Sequence, residues 1–401
     1  MSDERLKLLF VDDDEGILDG LRRVLRPYRA EWDATFALGG ESALKLLGTQ
    51  RFDVVVSDMR MPGISGGELL RLTRGRCPDT IRFTLTAHTE LDQLLPHVGV
   101  IHQFLRKPCD PRELRAAISL ASYFRGRLAR DETRRVVSAL ERMPAPSDTV
   151  RELLARLENQ SSSFASVAEV IERDGGLTAK LLHLANSAFF GSTKRVTRVV
   201  DAVGRLGLRT IKHLAVTSQL YDRLVTPAPA VQEYAGRLWS RSADLASRSR
   251  ATATALEFPP SSLDAAYLAG LLCEIGRLVL TWHLGEDYLR LVRQSTETGV
   301  SLAELEQATL GSSQSAIGGY LLALWAFDRE VVEAVTYVAH PRDSATTHAD
   351  ALAALHLTLC DDAAGAAANG VVRDAAFVER FAQPGGSPPG IATENPCGAR
   401  A

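Results

Sequence analysis

The chain lacks most of what marks a secreted, membrane-spanning or nucleic-acid-coating protein. Its 401 residues include five cysteines, Cys77, Cys109, Cys273, Cys360 and Cys397, with no CxxC pair among them. An odd, scattered set excludes a disulfide framework and fits free thiols in a reducing cytoplasm. No segment approaches ~20 continuous apolar residues, so no bilayer span is expected. The start, Met1-Ser2-Asp3-Glu4, is acidic and lacks the basic and apolar regions of a signal peptide. An excess of charge of one sign is also missing. Lysine and arginine number 46 against 49 acids, for a net charge of -3, so no global field draws nucleic acid or a membrane surface. No helix-turn-helix signature is evident, which leaves a DNA-binding regulator the least favoured reading.

What is present is ordinary in bulk and specific in detail. Hydrophobic residues are 45% and charged residues 24%, and the length suits two or three domains. The first ~120 residues alternate short apolar runs with amphipathic stretches. Strands are expected over Leu6–Val11, Ala34–Phe36, Val54–Ser57, Ile81–Thr86 and Ile101–Leu105, with helices over Gly16–Leu25, Gly40–Leu47 and Gly67–Thr73 between them. Such alternation predicts a doubly wound α/β domain with a parallel sheet covered on both faces. Ligands of such sheets sit beyond the carboxyl ends of the strands. There the sequence places Asp12-Asp13, Asp58, Thr86 and Lys107.

Three carboxylates, a hydroxyl and an ammonium on one edge suit a divalent cation and a phosphoryl group. Mg²⁺ takes one or two carboxylates together with carbonyls, waters and phosphate oxygens. On this reading Asp13 binds the cation directly and Asp12 through water, while Asp58 is the nucleophile. Lys107 pairs with the phosphoryl oxygens and Thr86 donates a hydrogen bond to one. Lys107-Pro108 is a step where a cis peptide is affordable. Each residue alone has a blander explanation, such as a helix cap, a loop dipeptide or core packing; the ordered set carries the signal.

The blocks Phe10-Val11-Asp12-Asp13-Asp14-Glu15, Ser57-Asp58-Met59-Arg60-Met61-Pro62-Gly63, Leu85-Thr86-Ala87 and Phe104-Leu105-Arg106-Lys107-Pro108 resemble a response-regulator receiver domain. The resemblance implies a five-stranded, flavodoxin-like fold whose Asp58 accepts phosphate from a histidine kinase. It also implies that the Arg60 carbonyl is a cation ligand, that Thr86 and Phe104 reorient on phosphorylation, and that Arg60 and His88 flank the phosphate.

From Pro111 to Glu141 the pattern reads as continuous helix, with Leu114, Ile118, Ala121, Leu128, Val136 and Leu140 on one side. Met143-Pro144-Ala145-Pro146 ends it. Beyond, the chain reads as helical throughout, one helix being expected over Ala349–Ala368. The tail from Gln383, rich in proline and glycine, is expected to be disordered.

Leu184-Ala185-Asn186-Ser187-Ala188-Phe189-Phe190-Gly191, Asp201-Ala202-Val203-Gly204-Arg205-Leu206-Gly207-Leu208 and Leu271-Leu272-Cys273-Glu274-Ile275-Gly276-Arg277 resemble the HDOD domain, a non-catalytic relative of the HD phosphohydrolases. Gly175 departs from it, since proline is usual there. Against the catalytic HD pattern, the resemblance puts Cys273-Glu274 in place of the His-Asp pair. Arg241 stands for a ligand histidine and Gln314 for a third ligand, while Asp361 and His340 remain at ligand-like positions. Arg277 stands where a lysine is usual. Catalysis would need several ligands around metals, so hydrolysis is not expected. A new zinc site from Cys273, Glu274, His340 and Asp361 is disfavoured, because cysteine in an apolar helix is usually core. The basic stretch Lys194, Arg195, Arg198, Arg205, Arg209 and Lys212 reads first as a solvated helix face.

The expectation is therefore a cytoplasmic two-component response regulator, not an enzyme. It has a receiver over 6–122, a connecting helix and linker over 123–146, an all-α HDOD output domain over 147–366 and a disordered tail over 383–401. Expected partners are a cognate histidine kinase and an unidentified protein; a homodimer stays open, and a membrane or nucleic-acid partner is not expected. The alternatives are a receiver-controlled, metal-dependent cyclic-dinucleotide phosphodiesterase and a nucleotide- or RNA-binding output.

Overall fold

The computed structural model describes residues 5–86, 97, 100–128, 133–134, 137, 152–153, 156–157, 163–186, 195–208, 211, 228–344, 349–379 and 381. The expectations for His88, Met143–Pro146, Phe189-Phe190, Lys194, Arg209, Lys212 and the tail lie outside the described residues.

The amino-terminal domain holds five strands: β1 (Leu6–Asp12), β2 (Trp32–Leu38), β3 (Val54–Asp58), β4 (Ile81–Thr86) and β5 (Gln103–Arg106). All neighbouring pairs are parallel, in the order β2-β1-β3-β4-β5. Helices α1 (Glu15–Leu25), α2 (Gly39–Thr49), α3 (Gly66–Arg76) and α4 (Pro111–Gly126) connect or follow the strands. The central strands β3 and β4 are buried along their length, as expected where helices cover both faces. Local chemistry starts the helices. Asp14 caps α1 by accepting from Gly16 and Ile17, Ser65 caps α3 through Glu68 N–H, and Asp110 with Pro111 opens α4.

The helical domain contains α5 (Phe164–Glu172), α6 (Gly175–Ala185), α7 (Pro229–Ala255), α8 (Pro260–Leu272), α9 (Ile275–Leu284), α10 (Glu286–Thr298), α11 (Leu302–Leu310), α12 (Gln314–Leu324), α13 (Arg329–Tyr337), α14 (Asp350–Cys360) and α15 (Ala363–Asn369). The long α7 packs on α8 and α14, and α12 packs on α9 and α13. Glycine permits the closest approaches. A Cβ on Gly276 would lie 1.9 Å from the Gln314 carbonyl, and one on Gly270 would lie 2.5 Å from the Leu245 carbonyl.

The helix expected from Pro111 to Glu141 ends at Gly126, with Arg127 as its C-cap. Two further apolar runs that read as helix are broken. The apolar run from Leu268 to Leu278 is split at Cys273 and Glu274, between α8 and α9. The helix expected over Ala349–Ala368 stops at Cys360 with Asp361 as its C-cap, and restarts at Ala363. Apolar spacing continues through both breaks, so periodicity alone does not reveal them.

Candidate functional site

The carboxyl edge of the sheet gathers the residues that the sequence analysis singled out. Asp12 ends β1, Asp58 ends β3 and Thr86 ends β4. Carboxylate oxygens of Asp12, Asp13 and Asp58 lie within 4.8 Å of one another. Asp12 and Asp58 are buried, while Asp13 is exposed at the rim. Lys107 Nζ bridges two of them, 2.8 Å from Asp12 Oδ2 and 2.5 Å from Asp58 Oδ1. The Lys107-Pro108 peptide is cis. Asp58 Oδ2 accepts from the Arg60 N–H at 3.0 Å, and Asp12 Oδ1 accepts from the Asp14 N–H at 3.0 Å.

Burial raises the pKa of Asp58 above the ordinary carboxylate value, with Lys107 opposing and Asp12 adding to the rise. For Lys107, burial works against the charge, but the bonds to Asp12 and Asp58 outweigh it and raise the pKa. The resident ammonium thus holds together carboxylates that would otherwise repel. Three hard oxygen donors beside an open rim fit a magnesium ion.

Thr86 is fully buried, and its carbonyl accepts from the Lys107 N–H at 3.0 Å. Thr84 pairs with Phe104 and Thr86 with Arg106 in the β4–β5 ladder. Paired residues share a face, as do residues two apart along a strand. Thr86 and Phe104 therefore project to the same side. The Phe104 ring packs 5.8 Å from the His183 ring of α6, and His183 lies 6.1 Å from the Trp325 ring. Phe104 of the first domain is thus seated against the second.

The rest of that seam is specific. Helix α4 lies along α12. Gln103 Nε2 donates to the Ala323 carbonyl at 3.1 Å, the Tyr123 and Tyr337 hydroxyls meet at 3.0 Å, and Arg127 stacks 5.1 Å over the Tyr337 ring. The place of His183 between two domains has no sequence signal.

His183 Nδ1 is 2.7 Å from the Trp325 carbonyl, so that nitrogen carries the proton. Nε2 is buried without a partner. Burial lowers the pKa from 6.5 to about 4, with the carbonyl bond opposing. Glu113 and Arg195 line the same small cavity beside it. Between pH 6.5 and 4 the unfolded chain binds a proton that the folded imidazole refuses, so stability falls as pH falls through this window. The full effect is about 3 kcal/mol. Denaturant titrations from pH 7 to pH 4.5 should show the wild type losing more stability than His183→Gln; parallel curves would disprove the assignment.

In the helical domain, Arg241, Glu274 and Gln314 come together, but in a salt-linked core. Arg277 Nη1 is 2.5 Å from Glu274 Oε2, and its Nε is 3.9 Å from Glu306 Oε1. Glu306 also accepts from Tyr288 Oη at 2.5 Å and from the Gln314 N–H at 2.7 Å. Asn369 Oδ1 accepts from Gln314 Nε2 and Arg277 Nη2. Arg241 lies 3.7 Å from Glu274 and 3.0 Å from Asp362. Burial works against the Arg277 charge, but Glu274, Tyr288 and Glu306 carry its pKa well above the ordinary value. Burial raises the Cys273 thiol.

Asp361 and His340 are both exposed, Asp361 as the C-cap of α14 and His340 before a 3₁₀ turn. Asp362, the next residue, makes the ion pair with Arg241. Sequence reasoning missed Glu306, Tyr288, Asn369 and Asp362. The one legible hint was Arg277 standing three residues after Glu274 on a helix. Among the described residues, the Asp12, Asp13 and Asp58 trio is the acidic or His/Cys group arranged for a metal. Of the basic stretch, Arg195 pairs with Asp328 at 3.1 Å and Arg205 donates to the Ala185 carbonyl.

A doubly wound α/β domain with an acidic strand-end site, followed by an all-helical domain, is the class that this architecture defines. The response regulator receiver domain model matches residues 8–119 and the HDOD domain model matches residues 143–341. The chain is a response regulator built from a receiver domain followed by an HDOD domain. It is 33% identical over 116 residues to the hydrogenase transcriptional regulatory protein HoxA of Cupriavidus necator, covering 28% of this chain and 23% of HoxA. It is 30% identical over 192 residues to the cyclic di-GMP phosphodiesterase response regulator RpfG of Xanthomonas campestris pv. campestris, covering 47% of this chain and 49% of RpfG. The matched segment thus spans half or less of each of these two relatives. A solved receiver domain of an HD domain-containing protein from Pseudomonas fluorescens Pf-5 is 31% identical, covering 30% of this chain and 96% of that one, with a TM-score of 0.29. No helix among the described residues is long and apolar enough to cross a membrane.

Proposed function

We propose that Asp58 accepts a phosphoryl group from a partner histidine kinase, and that this changes how the receiver holds a non-catalytic HDOD domain. The observation that carries the first half is Lys107 bridging Asp12 and Asp58, with Asp13 at the rim. A carboxylate oxygen of Asp58 bonds to phosphorus while the phosphorus–nitrogen bond to the kinase imidazole breaks, its electron pair staying on nitrogen. Lys107 moves from Asp58 to a phosphoryl oxygen, and the Thr86 hydroxyl donates to another. Asp12, Asp13, Asp58 and the Arg60 carbonyl would hold Mg²⁺, which supplies positive charge against the transferring phosphoryl oxygens.

Coupling follows from the position of Phe104. If Thr86 turns toward the phosphoryl group, the space beside it changes, and Phe104 touches His183 directly. The output is then a change in protein contacts.

The non-catalytic reading of the HDOD domain rests on the charges in its core. Arg241 stands where the HD resemblance would put a ligand histidine, Arg277 is buried beside Glu274, and a guanidinium repels a cation. The test is labelling by acetyl phosphate with Mg²⁺. Wild type should take up about one phosphoryl group per chain and Asp58→Asn none. Phosphorylation should also raise cross-linking-detected separation of Tyr123 from Tyr337. Equal labelling of Asp58→Asn would end the phosphoacceptor assignment, and turnover of a cyclic dinucleotide with bound transition metal would end the non-catalytic one.

A further inference from the structure

Helix α12 is gripped at both ends. At and just past its carboxyl end, three carbonyls accept from side chains of three separate segments. Gln103 of β5 donates to Ala323 at 3.1 Å, His183 of α6 donates to Trp325 at 2.7 Å, and Arg195 donates to Ala326. Gln103 belongs to the receiver and is buried at the seam beside Phe104. At the amino end, the Gln314 N–H donates to Glu306 Oε2 at 2.7 Å, and its side-chain amide donates to Asn369 Oδ1 at 2.8 Å. The two ends are about 16 Å apart, the length of an 11-residue helix.

Between its ends, α12 meets its neighbours through backbone. A Cβ on Gly276 would stand 2.8 Å from the Gly318 nitrogen, and one on Gly318 would stand 3.2 Å from the Gly276 nitrogen. One on Gly319 would stand 1.8 Å from Thr336 Oγ1 of α13. A side chain absorbs a small shift by changing rotamer. Close-packed backbone cannot, so the shift passes to the next element. Glu306 and Asn369 sit on α11 and α15, which pack on each other. The seam offers a second path, from Phe104 through His183 into α6 and on to α5. That path starts at a contact between two rings, which ring rotation can relieve.

We propose that α12 carries the state of Asp58 from the seam to α11 and α15, with Gln103 as the positioning residue that ties the receiver to it. This route requires that phosphorylation of Asp58 change the seam. It adds the place where that change ends: the face built by α11 and α15, and not α5.

The test is hydrogen–deuterium exchange of the full-length protein with Mg²⁺, with and without beryllofluoride as the phosphoryl mimic. Exchange should change at β5 and α4 and also at α11 and α15, and stay as it was at α5. Gln103→Leu should shrink the change at α11 and α15 about twofold or more. It should still take up phosphoryl groups from acetyl phosphate at the wild-type rate. The variant should fold, because the Ala323 carbonyl keeps the Ala326 N–H at 3.2 Å. If its melting profile falls, Gln103→Met replaces it with the same expected direction. A change confined to β5, α4 and α5 overturns the route and leaves the seam coupling standing. No change at β5 and α4 overturns both. An undiminished response at α11 and α15 in the Gln103 variant, or any response in Asp58→Asn, also overturns the route.

Discussion

Glu274→Ala should cost the helical domain about 3–5 kcal/mol, the usual penalty for removing one partner of a buried ion pair. Both Glu274 and Arg277 are essentially inaccessible to water. Without Glu274, the Arg277 guanidinium keeps Glu306 at 3.9 Å and the Asn369 oxygen at 3.2 Å. It also already has a buried Nε that makes no hydrogen bond. Water cannot reach it, so the lost carboxylate is not replaced. Against a typical total stability of about 5–15 kcal/mol, the loss is a large fraction. A domain of this size should melt roughly 10 °C lower. Glu286→Ala, on an exposed face, should stay within about 0.5 kcal/mol. Scanning calorimetry on the two variants decides the matter. Equal melting would mean that the network carries no net stabilisation.

The second large effect is expected at Gly66. A Cβ there would stand 1.8 Å from the Asp58 carbonyl oxygen and 2.8 Å from its carbon. Both are backbone atoms at the end of the central strand, so no side chain can swing aside. The Gly66 N–H also donates to the Met59 carbonyl at 3.0 Å, pinning α3 against this turn. Gly66→Ala must therefore displace Asp58, the proposed phosphoryl acceptor. The expected result is a stability loss of about 1–3 kcal/mol together with at least a tenfold slower uptake of phosphate from acetyl phosphate. Gly20→Ala is the contrast. It lies within α1 with nothing near its Cβ position, and alanine there should stabilise by about 0.5–1 kcal/mol. If Gly66→Ala labels at the wild-type rate, the turn does not position Asp58.

The contrast between the domains shows what a sequence can reveal. Asp12, Asp58 and Thr86 each close a strand, and strands of a parallel sheet deliver their ends to one edge. Order and spacing along the chain were therefore enough to bring those residues together before any contact was known. The helical core gave no such help. Glu306, Tyr288 and Asn369 lie far from Glu274 in the chain, on helices whose apolar spacing looks like that of any buried helix. The resemblance puts Asp361 at a ligand-like position, yet it is the adjacent Asp362 that meets Arg241; a motif does not reveal which of two adjacent acids faces inward. At the end of a helix, one residue turns the side chain by about 100°.

The sequence by itself determined the doubly wound receiver, the residues at its acidic edge and the helical character of the second half. Strand and helix periods, caps and strand-end acids are local or ordered along the chain. The tertiary structure alone decided two further features: the seat of Phe104 on His183 and the arginine-filled core around Glu274. Each depends on side chains distant in sequence meeting at one point, and in a folded chain that meeting is set by how whole helices and sheets pack.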